Sequence, residues 1–471
     1  MTADHETIVL TGATVIDATG ADPRPGTTVV LRGDRITEVG HRAGITVPDG
    51  ARVVDVTGKY VIPGLADMHV HADGPPASVL PLYLANGVTT VRVMWGDTCH
   101  HEWRRGIESG ELAGPRMWIG SRIVDGRPSL WRGFGLDAPF AEVDGAADAR
   151  RAVEQAQSDG ADFVKVYSRI SAEDYLALAE EAGRRGIAFA GHCPDTVPIT
   201  EAAELGQRSF EHLFGIWSST SDQEPALRGQ AAGIDTRDGG YNSWFQQTHA
   251  LEWRAATTFD ERKAALVFRR LAETGSAQVP TLVMHRILDM PELGSLTDER
   301  LRYLPPGTAA QWKEIVDGLY LPGRTGEESA QRRELFERRL RMTAALREAG
   351  VPVLAGTDVG TPFTFPGFSL HDELELLVRA GFTPMQALRA ATAEPAAFLG
   401  AGELLGTVEP GRLADLVVLD DDPLRDIANT RRIHAVVARG RLLPARERAR
   451  MLDDVAAAVR GEAAVSSRTC C

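Results

Sequence analysis

Two histidines separated by one valine, His69 and His71, close an apolar run that leaves a Pro63-Gly64 turn. In an extended strand, side chains two apart share a side, so both imidazoles face one place. Farther along, Lys165, His192, His212 and Asp358 each stand in or at the end of a short β-branched or apolar run. Neutral imidazole and carboxylate are ordinary ligands of zinc and neighbouring divalent cations. Singly, each residue also has a plain structural reading: a hydrogen-bonded core histidine, a turn aspartate, a solvated or ion-paired lysine. As a set they say more. Four of the 12 histidines fall at strand ends in chain order, which points to one metal-binding mouth.

The elements that must position this set follow a βα pattern. Eight candidate strands, at 61–69, 87–94, 116–124, 161–168, 187–193, 208–215, 277–285 and 351–358, are separated by helical stretches in several places. This predicts an α/β fold, a (β/α)8 TIM barrel with its site at the carboxyl ends of the strands. Short strands also fill 7–60 and return at 412–443, with Gly33-Asp34 as a two-residue hairpin turn. Both termini are therefore expected to build a small β-sandwich domain (1–61 and 402–460) around a barrel at 62–401, followed by a flexible tail at 461–471. Thr383, Pro384 and Gln386 read as an N-cap, an N1 proline and a capping box. Two segments exceed what a barrel needs, 216–262 and 286–335. They are expected to be long loops over the mouth, carrying Tyr241, Trp244, Trp253, Tyr303 and Trp312.

Composition narrows the function. The 471 residues carry a formal net charge of −14 with no Lys/Arg block, which argues against a nucleic-acid or anionic-membrane partner. No run approaches the roughly 18 apolar residues of a membrane span. The start, with acids and no long apolar core, does not read as a signal peptide. The expectation is a cytoplasmic enzyme acting on a small molecule. Cys99, Cys193, Cys470 and Cys471 are too sparse for a disulfide framework or a CxxC metal site, and Cys193 reads as a core residue.

The order of motifs is specific. PGLADMHVH (63–71), GVTTVR (87–92), DFVKVY (162–167), GH (191–192), FEH (210–212), AGTD (355–358), HDELELLVRAGFTPMQALRAAT (371–392) and GTVEPGRLADLVVLDDDPL (406–424) follow one another. From about 7 to 443 the chain resembles the metal-dependent amidohydrolases of the binuclear type, close to imidazolonepropionase-like and prolidase-like members. The resemblance implies two divalent metal ions, zinc foremost. His69, His71 and Asp358 would hold the more buried one and His192 and His212 the more exposed one. Lys165, carboxylated on its amine, would bridge them, because a carbamate offers an anionic oxygen to each cation where an ammonium would repel both. The implied reaction is hydrolysis of a C–N bond in a small amide, cyclic amide or peptide-like substrate. A metal-bridging hydroxide would attack, and Asp358 as general base would pass the proton to the leaving nitrogen. The same site on this scaffold also suits a non-hydrolytic dehydration, isomerisation or decarboxylation. Analogy with such barrels adds a homo-oligomer.

Substrate contacts are read more loosely. Tyr167 and Arg169 follow Lys165 at spacings of two and four and would share its inward face if the strand persists. Arg169 then either pairs with a substrate carboxylate or closes an ion pair. His285, at the expected end of strand seven, either donates a hydrogen bond to the reacting group or caps the loop. The adjacent His100 and His101 read as a solvated loop. One departure stands out: many relatives carry VRD after strand two, whereas Val93 occupies the acid's place here and Asp97 is the nearest substitute.

Overall fold

The computed structural model describes residues 6–132, 139–237 and 240–462. Residues 463–471, with Cys470 and Cys471, lie outside the described residues, as does most of the expected tail. Five strands open the chain: β1 (Thr7–Val15), β2 (Arg24–Arg32), β3 (Arg35–His41), β4 (Arg52–Asp55) and β5 (Tyr60–Pro63). β2 and β3 form the expected hairpin, with Arg32 opposite Arg35 and Gly33 at φ 58° supplying the left-handed turn residue. β1 bends at Gly12 (φ 85°), where any Cβ would meet Thr57 Oγ1 at 2.3 Å. Its first half consequently pairs with β4 and its second half with β5.

The barrel follows: β6 (Leu65–Val70), β7 (Val88–Val93), β8 (Arg116–Gly126), β9 (Phe140–Val143), β10 (Phe163–Val166), β11 (Ala188–Gly191), β12 (Ser209–Glu211) and β13 (Ala277–Val279). The spatial order β13-β12-β11-β10-β8-β7-β6 is parallel throughout, with β9 added beside β8. Residues 351–359 close the ring. Val353 bridges Gln278 of β13 and Val359 bridges Val70 of β6, both parallel. Met68 N donates to Ala355 O (2.9 Å) and Asp358 N to His69 O (2.8 Å). Barrel strands face side chains inward and helices outward, so β6, β7 and β10 are buried at every residue.

The chain then returns to the first sheet through β14 (Leu416–Leu419), β15 (Ile433–Ala438) and β16 (Arg441–Pro444). The resulting mixed sheet, β16-β15-β14-β5-β1-β2-β3 with β4 beside β1, has a core of its own in Leu10, Val29, Leu31, Val61, Leu416 and Val437. The architecture is a TIM barrel with a separate β domain built from both termini. A last helix, Ala445–Glu462, leaves that sheet and packs Val455, Ala456 and Val459 against Leu82 of a barrel helix.

Strand seven departs from expectation. It stops at Val279, and Leu282–Asp289 is a helix. Thr281 turns the chain at φ 46°, and the buried Glu373 carboxyl group accepts from Leu282 N (3.0 Å) and Val283 N (2.7 Å), satisfying orphan donors at the helix start. A partner 90 residues away decides the local structure, so the β-like run alone misleads.

The two expected loops are largely helical as well. The first folds as Ile216–Thr220, Glu224–Ala232 and Gly240–Thr257, and the second includes Thr308–Ile315 and the start of Gly326–Glu348. They share an apolar cluster including Trp244, Phe245, Trp312, Leu319 and Tyr320. Arg339, wholly buried, ties them together by pairing both Nη atoms with Glu252 (2.8 and 2.7 Å) and Nε with Asp289 (3.1 Å). Among the described residues no helix is long and apolar enough to cross a membrane.

Candidate metal centre

Five barrel segments bring the predicted ligands to one end. His69 lies in β6 and His71 just beyond it. Lys165 lies in β10, His192 and His212 directly follow β11 and β12, and Asp358 ends the closing segment. Asp358 Oδ1 is 3.2 Å from both His69 Nε2 and His71 Nε2. Ring centroids lie 5.4 Å apart for His69–His71, 4.6 Å for His69–His212 and 5.1 Å for His192–His212. One atom each from His69, His212 and Asp358 falls within 4.8 Å of the others. This trio crosses the division implied by resemblance, which paired His212 with His192 and kept His69 with His71. All six side chains are buried except His71, which is 19% exposed.

The imidazoles are aimed by partners behind them. His69 Nδ1 meets Glu211 Oε2 at 2.7 Å, His192 Nδ1 meets Ser168 Oγ at 2.8 Å, and His212 Nδ1 meets Thr281 Oγ1 at 2.8 Å. Each ring therefore keeps Nε2 for the site, the arrangement by which outer partners orient metal-binding histidines. Glu211 is itself held by Arg92 Nη2 (2.8 Å) and Ser209 Oγ (2.6 Å). His212 (φ 62°) and Asp358 (φ 57°) both take left-handed backbone, uncommon for residues with side chains and concentrated at functional positions.

The electrostatics match the donor chemistry. Burial pushes the His192 imidazole well below its ordinary range, helped by Lys165, and burial takes His212 to about 3. Both are neutral bases. Burial works against ionising Asp358, yet His212 and His69 hold its carboxyl well below the usual carboxylate range. Burial lowers Lys165 to about 8 despite the pull of Glu211 and Asp358. His69 Nε2 is buried, with Asp358 Oδ1 at 3.2 Å as its polar neighbour. Imidazole nitrogens and one anionic carboxylate are a donor set that suits divalent cations.

The other predicted residues are distributed differently. Tyr167 lies beyond the end of β10 and stacks on His192, with centroids 4.0 Å apart at 28°. Arg169 realises the ion-pair alternative: Nη1 meets Asp195 (3.2 Å) and Ala231 O (2.9 Å), and Nη2 meets Ile234 O (3.3 Å). His285 sits on a helix instead of a strand end and spends Nε2 on His212 O (2.9 Å), so it braces a candidate ligand from behind. His100 is buried, not solvated. It forms a capping box with Asp97 at the start of helix Thr98–Ser109, which also engages Asp97 as a cap and not as the replacement for an acid at Val93.

The partners Glu211, Arg92, Ser168 and Thr281 were not anticipated. A signal was available for two of them, since Arg92 in TTVRV and Glu211 in SFEH are opposite charges inside otherwise apolar strands.

Comparison with known proteins agrees with this geometry. Residues 317–443 match the amidohydrolase family model. Imidazolonepropionase of Pseudomonas putida is 25% identical over 421 residues, covering 85% of this chain and 89% of that protein. An adenine deaminase of Rubrobacter xylanophilus is 37% identical over 73 residues, 16% of this chain and 12% of that protein. Against that relative and adenine deaminase 3 of Rhizobium meliloti, of which 32% is matched, the chain aligns with less than a third of the length. Among solved structures, bottromycin amidohydrolase superposes with a TM-score of 0.73 at 25% identity, covering 96% of this chain and 90% of that one. A Xaa-Pro dipeptidase shares the fold with a TM-score of 0.67 at 21% identity, over 93% of this chain and all of that one. The barrel and the terminal β domain are thus shared with these solved structures. Residues 317–443 thus carry the amidohydrolase family pattern, and most of the chain is similar in sequence and fold to proteins of that superfamily.

Proposed function

We propose that this chain is a metal-dependent amidohydrolase that hydrolyses a C–N bond of a small amide, cyclic amide or peptide-like molecule. The observation that carries the reading is the convergence of His69, His71, His192, His212 and Asp358 from four barrel segments, three of the rings being aimed by Glu211, Ser168 and Thr281. His69, His71 and Asp358 would hold one divalent ion and His192 and His212 a second, with carboxylated Lys165 between them. Bound there, such ions lower the pKa of water towards neutrality and polarise a carbonyl oxygen. Asp358 is the chain's proton carrier. Held ionised and central, it takes the proton of the attacking water and delivers it to the departing nitrogen, which leaves only when protonated. Tyr167, packed flat on His192, keeps that ring from rotating.

Three measurements test the reading together. Metal analysis of protein purified with zinc is expected to give two equivalents, falling in Lys165→Ala and restored by a short carboxylic acid that replaces the carbamate. Turnover of an amide and dipeptide panel in ¹⁸O-water is expected to place label in the carboxylate product, and Asp358→Asn to lower kcat by roughly 10² to 10⁴. Product without label, or near-wild-type turnover in Asp358→Asn, would refute hydrolysis by this route.

A further inference from the structure

The accessible side of the metal centre is aromatic. His71, the partly exposed ligand candidate, lies 6.2 Å from Trp95, ring edge to ring face. Trp95 continues to Trp131 at 4.8 Å, and Trp131 stacks on Tyr241 at 4.9 Å and 25°. Opposite, Phe214 sits 4.9 Å from His192 and 5.3 Å from His212. Trp95, Trp131, Phe214 and Tyr241 are half-buried, whereas Trp244 and Phe245 behind them are buried. Each of the four rings therefore keeps part of its surface accessible, and two of them, Trp95 and Phe214, touch the histidine cluster. Phe214 also lines a cavity of about 70 Å³ whose walls are mixed, with Leu227 and Trp244 beside Asp195, Arg228 and Glu252.

Two cations beside this aromatic wall, Arg132 and Arg169, are already engaged. Arg132, next to Trp131, gives its Nε to Glu142 at 2.8 Å. Arg169 is held by Asp195 and two backbone carbonyls, and Asp195 also accepts from Trp244 Nε1 at 2.8 Å. Arg169 thus clamps the first inserted segment in place. Breaking that pair to receive a substrate carboxylate would strip the half-buried Asp195 of its nearest countercharge and release the two carbonyls that Arg169 holds.

We propose that the substrate presents an aromatic or bulky apolar group beside the scissile bond, seated against Trp95, Trp131, Tyr241 and Phe214, and no carboxylate there. The substrate class is then a hydrophobic amide instead of a free dipeptide. The inference rests on the amidohydrolase reading for the chemistry and on the wall itself for the binding. Burying a phenyl group removes a large apolar area from water, and offset or edge contacts with the wall's rings add to it.

Three matched probes separate the possibilities by calorimetry on the zinc-loaded full chain: phenylacetylglycinamide, acetylglycinamide and phenylacetylglycine. The first is expected to bind at least about tenfold tighter than the second, on the scale of a partly buried ring, and the third no tighter than the first. Trp131→Ala should lower the phenyl preference to below about threefold, and Trp131→Phe, which keeps a ring, should retain most of it. Circular dichroism verifies that both variants fold. Equal binding of the phenyl and methyl probes, tighter binding of the carboxylate, or a preference that survives both Trp131→Ala and Tyr241→Ala overturns the proposal. Chromatography of the same mixtures reads hydrolysis separately. Selective binding without cleavage sinks the hydrolytic reading alone, and cleavage without selectivity sinks this one alone.

Discussion

Replacing Glu211 with glutamine perturbs both the fold and the site, and the two effects can be separated. Glu211 is wholly buried and balances Arg92, itself 1% exposed, through contacts of 2.8 and 3.0 Å, while its Oε2 holds His69 Nδ1 at 2.7 Å. The amide keeps the shape and loses the charge, leaving the Arg92 guanidinium buried without a counterion. Breaking a buried pair in this way costs about 3–5 kcal/mol. The amide oxygen can still accept one hydrogen bond, so the lower end is expected. The companion variant Ser168→Ala removes one neutral hydrogen bond to His192 and no charge, and should cost only about 1 kcal/mol. Both remove an orienting partner, so both should weaken metal binding by roughly 10- to 100-fold. Urea unfolding with chelator present reads the first quantity, and competition with a chromophoric chelator reads the second. An unfolding free energy of Glu211→Gln within 0.5 kcal/mol of wild type (an approximate margin for neutral changes) would show that Glu211 does not neutralise Arg92. Unchanged zinc affinity in Ser168→Ala would show that the hydrogen bond at His192 Nδ1 does not aim that ring.

Three further outcomes follow from the same structure. Arg339→Leu leaves Glu252 buried without its countercharge and Asp289 with only Arg332 at 3.6 Å, so it should destabilise the chain by about 3–5 kcal/mol, measured by urea unfolding. Gly356→Ala places a Cβ 2.6 Å from Val279 and 3.0 Å from His69 N, so an overpacking cost of about 1–3 kcal/mol and weakened zinc binding are expected together. Burial raises the Glu373 carboxyl to about 8, against 4.5 as its ordinary value, even though two backbone N–H groups favour the ion. The folded state then binds more protons than the unfolded one between those values. Glu373 thus contributes a slope of up to about −1.4 kcal/mol per pH unit to stability as pH rises through that window. Unfolding of Glu373→Gln across pH 5–8 should lack this slope (the roughly midrange part of that window), and parallel profiles for variant and wild type would refute it.

The placement of the candidate residues was legible because they obey local rules. His69 and His71 share an inward face since strand side chains alternate, and Lys165, His192, His212 and Asp358 each follow or sit within an apolar run that a buried barrel strand requires. The terminal β domain was legible for the same reason, as was the capping box of Thr383 and Gln386. The failures share a different cause. The run PTLVMH reads as a strand, and it is Glu373, distant in sequence, that caps it into a helix and removes His285 from the mouth. His100 reads as solvated beside His101, yet its capping contacts with Asp97 bury it.

What the chain determines by itself, then, is the period of its strands and the donor types at their ends, because alternation and apolar runs are properties of neighbours. Which rings face one another, which partner turns Nε2 inward, and whether Arg169 is free or engaged depend on residues tens to hundreds of positions apart. Those were decided only when the barrel closed through Val353 and Val359 and the inserted helices settled over its mouth. Charge balance in a buried space is a property of everything that encloses it.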